Sequence, residues 1–381
     1  MKRYVYADNA ATTQMDIEVF DAMKPYLLAE YGNVSQPYSF SRNSREGLKK
    51  AREIIASCIN AKPSEIYFTS GGTESDNWAV KGAMYASSQR RTLITSKIEH
   101  HAILRSADSL KRRGYSIIHL EVSKDGIIEP DNLNRVITCD TQLVSVMLAN
   151  NEIGTIQPIK ELAKVAHANG ALIHTDAVQA IGHIPIDVRE LDIDLLSASA
   201  HKFNGPKGIG FLYIKDGVKI EPYIDGGSQE YSMRAGTENI AAIVGMAYAL
   251  QNNCKYINSN MLCMNELTEF IINKLGKNRN IDFVKNGGKN TLPGVISLSF
   301  NGTNGEAMLH RLDLRGICVS TGSACDSANT NISHVLQAIG LDERYSKGTI
   351  RISLGKYNTM EDADYIVNEI IKIVSTGRVQ I

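Results

Sequence analysis

No window of the 381-residue chain approaches the roughly 18 uncharged apolar residues that a membrane helix requires. The apolar stretch at the N-terminus is broken by Asp8 and Asn9, too early for the core of a signal peptide. These two absences predict a cytoplasmic protein with no membrane partner. Surplus charge is also lacking, because 41 Lys and Arg stand against 41 Asp and Glu. The basic excess that phosphate-backbone binding draws on is missing, so nucleic acid is not expected as a direct ligand. The six cysteines (Cys58, Cys139, Cys254, Cys263, Cys318 and Cys325) are scattered, with no CxxC pair. That spacing argues against a zinc cluster, and a cytoplasmic setting argues against a disulfide framework. There is no GxGxxG and no Gly-Lys-Ser/Thr of a Walker loop, which speaks against a dinucleotide or P-loop site.

What is present is ordinary globular material, 43% hydrophobic and 22% charged. At roughly 150 residues per domain, the length suggests two or three domains and a core that needs no covalent staple. Short apolar runs recur at Ile66–Thr69, Thr92–Thr95, Ser116–Leu120, Leu143–Leu148, Ala171–Thr175, Leu195–Ser199 and Ile209–Ile214. Several are continuously apolar, as expected of strands buried on both faces. Helical patterns such as Asp76–Tyr85 and Lys160–Ala168 lie between them, the second ending at Gly170. This alternation predicts a doubly wound α/β domain. Only about eight residues separate Ser199 from Gly208, whereas a parallel crossover needs a dozen or more. The seventh strand is therefore expected to run antiparallel to the sixth, giving a seven-stranded, mixed, mostly parallel sheet. Beyond about residue 255 a helical stretch, Leu262–Leu275, is followed by runs at 294–300, 317–320 and 349–354. A final helix is expected from about Glu361 to Val374, with Thr359 as N-cap and Asp362 completing a capping box. The expected division is a large α/β domain over 15–255 and a smaller α+β domain formed by 1–14 plus 256–381.

In open α/β sheets, ligands bind beyond the carboxyl ends of the strands. The first run is followed by Ser70-Gly71-Gly72-Thr73-Glu74-Ser75-Asp76-Asn77, in which Thr73 with Asp76 suits a helix start and the glycines allow close approach of a phosphate. Other runs end in Glu99-His100-His101, Asn150-Asn151-Glu152, Thr175-Asp176 and Ser199-Ala200-His201-Lys202. Asp176 at the end of an apolar strand needs a cationic partner. Lys202 can form a Schiff base if its pKa is lowered by its pocket. A phosphate cradle, a buried acid and such a lysine together meet the demands of pyridoxal 5′-phosphate, whose ring nitrogen the acid keeps protonated.

An ordered set of motifs, spread over nearly the whole chain, resembles the cysteine desulfurases of the pyridoxal-phosphate fold-type I, class V aminotransferase-like superfamily. The set comprises Tyr6–Thr13, Gly71–Asn77, Glu99-His100, Asn150–Gly154, Asp176 with Gln179, His201-Lys202 with Gly205–Gly208, Arg234–Thr237, Ser320–Cys325 and Arg351–Gly355. The resemblance implies conversion of L-cysteine to L-alanine, with the sulfur passed to Cys325 as a persulfide and then to an acceptor protein. It implies that Lys202 holds the cofactor and shuttles protons, Asp176 pairs with the ring nitrogen and His100 stacks on the ring. Gln179 would bond the ring hydroxyl, and Asn151 would support the ring. Gly72, Thr73, Ser199 and His201 would hold the phosphate. Thr237 would reach the cofactor of a second copy in a homodimer. Arg351 would clamp the substrate carboxylate, with Asn33 also on the substrate side.

Cys325 lies in a stretch with almost no large apolar residue, expected to be a mobile loop. A selenocysteine lyase or an aminotransferase of the same class would share the cofactor site without depending on that thiol. The chain departs from the family pattern at Tyr38, where many relatives carry His, and at Asp326, where Ser or Thr is usual. Its tail after the last helix is also expected to be short. Iron–sulfur assembly, tRNA thiolation and DNA phosphorothioation all use such sulfur donors, so the resemblance leaves the acceptor open.

Overall fold

The computed structural model describes residues 3–321 and 332–376. Cys325 and Asp326 lie outside the described residues. After a short N-terminal strand, β1 (Val5–Tyr6), the seven expected runs form one sheet. They are β2 (Ile66–Thr69), β3 (Thr92–Ser96), β4 (Ser116–Leu120), β5 (Thr141–Ser145), β6 (Leu172–Asp176), β7 (Leu195–Ser199) and β8 (Gly210–Ile214). Their order is β2-β8-β7-β6-β5-β3-β4. Strands β3 to β7 pair in parallel, and β8 runs antiparallel to both β7 and β2, as the short connection from Ser199 requires.

Successive side chains on a strand point to opposite faces, and here both faces are covered. Leu93, Leu143, Leu195 and Leu212 pack in one apolar cluster with Trp78, Ile103 and Leu110. These last three belong to helices α3 (Gly72–Tyr85) and α4 (His101–Arg112), which follow α1 (Ile17–Leu28) and α2 (Arg42–Cys58) in the chain. The neighbouring Ile94, Val144, Leu196 and Phe211 belong to a second cluster with Ile55, Leu162 and Leu250. That layer contains α2 and, beyond the short α5 (Pro130–Val136), helices α6 (Ile159–Ala168) and α7 (Ile240–Lys255). Burial of adjacent residues on both sides is why the strands read as unbroken apolar runs. Helix α6 stops where Gly170 takes a φ of +69°, in the left-handed region that suits glycine.

A third cluster is built from Val5, Ala7 and residues between Met264 and Val374. Here β9 (Phe283–Asn286), β10 (Val295–Phe300) and β12 (Thr349–Ser353) form an antiparallel sheet, and β11 (Ile317–Cys318) pairs in parallel with β1. The helices of this part are α8 (Ile257–Gly276), α9 (Gly305–Leu314), α10 (His334–Ala338), α11 (Glu343–Ser346) and α12 (Met360–Thr376). Thr359 Oγ1 accepts from the Asp362 amide at 3.2 Å, and an Asp362 carboxylate oxygen accepts from the Thr359 amide at 3.1 Å, so the expected capping box is formed. Strands β1 (Val5-Tyr6) and β9 (Phe283-Val284-Lys285-Asn286) escape sequence reading because neither contains an apolar run longer than two residues. Among the described residues, no helix is long and apolar enough to cross a membrane.

Candidate active site

The carboxyl ends of the parallel strands converge with an N-terminal ribbon, residues 8–13. The turn after β2 is shaped by its glycines. Gly71 has a φ of +149°, and a Cβ placed on Gly72 would lie 2.6 Å from Val178 Cγ2, so any larger residue would push this turn away from the end of β6. The turn opens α3, whose first amide groups have no intrahelical acceptor and form a natural anion site. A cleft of about 370 Å³ faces it, lined by Gly72, Thr73, Ser199, His201, Lys207 and Thr12 among others. Four of these were expected from the sequence. Thr12 and Lys207 lay inside quoted motifs without a role, and only the fold reveals that both border the cleft.

His201 Nδ1 lies 3.1 Å from Thr12 Oγ1. Burial, helped by Lys202 and Lys207, pushes the His201 imidazole down to about 4, so at neutral pH it acts as an uncharged polar group. The next residue, Lys202, closes a single turn after β7. Its Nζ donates to the carbonyls of Ala10 at 2.6 Å and Ala11 at 2.9 Å. Gln179 Nε2 donates to the same Ala10 carbonyl at 2.9 Å.

Asp176 ends β6, is 4% exposed, and accepts the Val178 amide at 2.9 Å. Burial raises its carboxyl above the ordinary range, while His100, the Val178 amide and Lys202 counteract that rise. His100 caps α4, its Nδ1 accepting from the Ala102 amide at 3.1 Å. Burial holds its imidazole below the usual histidine range, with Lys202 and His101 pushing the same way and Asp176 opposing. Carboxylate oxygens of Asp76 and Asp176 and a ring nitrogen of His100 all lie within 4.8 Å of one another. The sequence reading of Asp76 as part of a helix start is corrected here. The helix begins four residues earlier, with Gly71 as its N-cap, and Asp76 is buried behind the site.

Arg351 comes to the same place from β12. Its Nη2 bonds Asp8 Oδ1 at 2.7 Å and its Nη1 bonds the Asn151 carbonyl at 2.8 Å. Its Nε is buried without a partner. Asn151 thus meets the site through its backbone. Asn33 is exposed, its Oδ1 accepting from the Ser35 amide at 2.9 Å, and Tyr38 is also exposed. Thr237 is exposed and does not line the cleft of its own chain.

The segment leading to Thr237 is pinned down nonetheless. Glu230, Tyr231 and Ser232 all have positive φ (44°, 57° and 65°), an unfavourable run for residues with a Cβ. Buried Glu230 receives Arg52 at 2.8 and 2.7 Å and the Phe68 amide at 2.9 Å, and Arg234 pairs with Glu74 at 2.8 Å, next to Thr73. No local pattern in the sequence announces either pair.

The family model "Aminotransferase class-V" matches residues 5–366. The cysteine desulfurase IscS of Dictyoglomus turgidum is 47% identical over 379 residues, covering 99% of this chain and 96% of its own. Among solved structures, a NifS-like protein superimposes with a TM-score of 0.92 at 38% identity, over 98% of this chain and 100% of that one. A structure titled SspA in complex with cysteine gives 0.82 at 36% identity, over 94% of this chain and all of that one. A cleft at a glycine-opened helix start, a lysine and a buried acid at adjoining strand ends, and likeness over almost the full length agree, and the chain belongs to the class V aminotransferase family, among its cysteine desulfurases.

Proposed function

We propose that this site converts L-cysteine to L-alanine, with Lys202 as its central acid–base group and Cys325 as the sulfur acceptor. The observation that carries the reading is the gathering of Lys202, Asp176 and His100 at the strand ends, beside the Gly72 turn that packs on Val178, in a chain of this family. Pyridoxal 5′-phosphate is the family's cofactor, and the residues present fit it. The glycine turn leaves room where a Cβ would collide, and a buried carboxylate has Lys202 as a cationic neighbour. Gly72, Thr73, Ser199, His201 and, in addition to the sequence reading, Thr12 and Lys207 would hold the phosphate. Asp176 would face the ring nitrogen, His100 a ring face, and Gln179 and Asn151 the ring edge. When bound, the cofactor supplies an electron sink for charge developing at the substrate's α-carbon.

The protein's own groups supply the rest. Lys202 Nζ takes and returns the α-proton. A Cys325 thiolate attacks the substrate sulfur, the carbon–sulfur bond breaks, and its electron pair stays on the β-carbon, which takes up a proton. The products are alanine and a persulfide, and no external oxidant or reductant is needed. The test is to supply the holoenzyme with cysteine and no acceptor. Alanine is expected in step with persulfide, and mass spectrometry is expected to find one added sulfur on the peptide containing Cys325. Alanine without protein-bound sulfur would refute the scheme.

Arg351 would hold the substrate carboxylate, because its buried Nε has a proton left to donate. Arg351→Lys is expected to raise KM for cysteine roughly ten- to hundredfold, the scale of one charge-assisted hydrogen bond, with kcat changed far less. An unchanged KM in steady-state assays would remove Arg351 from that role.

Within the same reading, Thr237 completes the phosphate site of a second copy, which is supported by its exposure and by the pinned segment that presents it. Sedimentation velocity of active holoenzyme is expected to show a homodimer, and full activity as a monomer would overturn this. The division into 15–255 and 1–14 plus 256–381 is supported by an apolar cluster drawn entirely from Val5, Ala7 and residues 264–374, although Leu292 and Val295 pack with the larger part. Cytoplasmic residence is supported by the free thiols Cys58, Cys139, Cys254, Cys263 and Cys318. The persulfide's acceptor is a protein that can approach Cys325.

A further inference from the structure

Asp76 has no part in the chemistry above, yet it is a carboxyl group 1% exposed in the second turn of α3. Isolated buried carboxylates are costly, and such groups are paired or neutral. The groups around Asp76 come from every element packed on it. Asp176 and His174 come from β6, Ser197 from β7, His100 from the start of α4, and Glu99 from the turn before it. None is a cation bonded to Asp76. Ser197 hydrogen-bonds one side of the carboxyl. Oδ1 has no hydrogen-bond partner and lies 3.8 Å from His174 Nε2. His174 is already committed, with Nδ1 2.9 Å from Ser145 Oγ and Nε2 3.0 Å from Ser197 Oγ.

Two carboxyl groups within 4.8 Å of each other in a dry site cannot both ionise cheaply. The environment decides which one keeps the charge. Asp176 has an amide donor and lies beside His100 and Lys202. Asp76 has one hydroxyl and two acids, Asp176 and Glu99, for company. Burial pushes the Asp76 carboxyl well above the usual range, with Asp176 and Glu99 adding to the push and Ser197 opposing it. Burial likewise drives His174 down to about 3, so this histidine supplies no positive charge.

We propose that Asp76 is a positioning residue, a neutral carboxylic acid behind Asp176, whose proton on Oδ1 makes Asp176 the sole negative charge facing the cofactor. The proposal rests on the assignment of Asp176 to the ring nitrogen. Its consequence is that Asn, an uncharged isostere of the neutral acid, can replace Asp76 without changing the charge beside Asp176, whereas Ala leaves that buried space empty.

The test uses two readouts other than turnover. Infrared difference spectroscopy of the apoprotein in H2O and D2O, wild type against Asp76→Asn, is expected to show a protonated-carboxyl band that the variant lacks. In the holoprotein, the pH midpoint of the bound cofactor's visible absorbance is expected to be the same in Asp76→Asn and wild type. Asp76→Ala, which leaves a cavity behind Asp176 and takes the carboxyl away from Ser197, is expected to move that midpoint by about one unit and to weaken cofactor binding roughly tenfold. If no acid band is lost, or if Asp76→Asn shifts the midpoint as far as Asp76→Ala, Asp76 is ionised and the proposal is wrong. Should Asp76→Ala fail to fold, the infrared band and the Asn titration still decide. The parent assignment fails separately, if Asp176→Asn leaves the cofactor's absorbance midpoint where it was.

Discussion

Lys202→Ala is expected to give a folded chain that no longer holds pyridoxal phosphate covalently and turns over cysteine about a thousandfold more slowly or worse, the scale of losing a positioned acid–base group. Folding should survive because the backbone of this turn is held independently of the side chain. The Phe203 and Gly205 amides both bond the Ala200 carbonyl, and the Lys202 carbonyl lies 2.8 Å from His183 Nε2. What is lost is the amine, which is aimed at the carbonyls of Ala10 and Ala11. Borohydride treatment of the wild type followed by peptide mapping should fix the cofactor on Lys202, and the variant should carry none. A label on another lysine would overturn the assignment of the central base.

Cys325→Ser is expected to produce the second large effect, with a different signature. The absorbance of the bound cofactor and the affinity for cysteine should stay close to wild type, because described residues other than Cys325 line the Gly72 cleft and hold Asp176 and Arg351. Alanine and persulfide formation should both fall by about a thousandfold or more, since a hydroxyl at neutral pH is neither ionised nor able to take up sulfur as a thiolate does. Cys318→Ser is the matched control. Cys318 lies on β11, where burial raises its thiol above the ordinary range and the nearby Asp313 and Asp8 add to that, the opposite of activation. Persulfide that persists in Cys325→Ser, or that maps to another cysteine, would contradict the mechanism.

The position of Lys202 shows how far sequence reading reaches. Lys202 is legible because it follows an apolar strand buried on both faces, and the large sheet was readable for the same reason. Leu195 and Leu196 look alike in the sequence because each meets its own apolar layer. The reversal of β8 could be derived from the shortness of one connection. The placement of Asp76 could not, because its neighbours are supplied by β6, β7 and the start of α4, and an acid three residues after a threonine imitates a helix start. Arg351 with Asp8, and Arg52 with Glu230, are equally silent. Their partners are 343 and 178 residues away, and separations of that size leave no period to detect. The family resemblance supplied roles for several of these positions, and the fold supplied the reasons they can be filled.

The N-terminal ribbon has a consequence for the order in which the molecule is made. Residues 8–13 are synthesised well before β12, since the Ala10 amide is held by Ser353 Oγ at 2.9 Å and Asp8 by Arg351, each 343 residues further on. At roughly 5–20 residues per second, the ribbon waits about twenty to seventy seconds for those partners to be synthesised. Lys202 is translated well inside that interval, with Gln179 and His201, which hold one side of the ribbon; the other side stays unanchored until β12 is in place. Contacts of such span are slow to form, so the central sheet can collapse first and the amine is set last. A nascent or truncated chain lacking β12 therefore carries the lysine beside a wall held from one side only, and its full reactivity toward the cofactor aldehyde becomes a property of the polypeptide that includes β12.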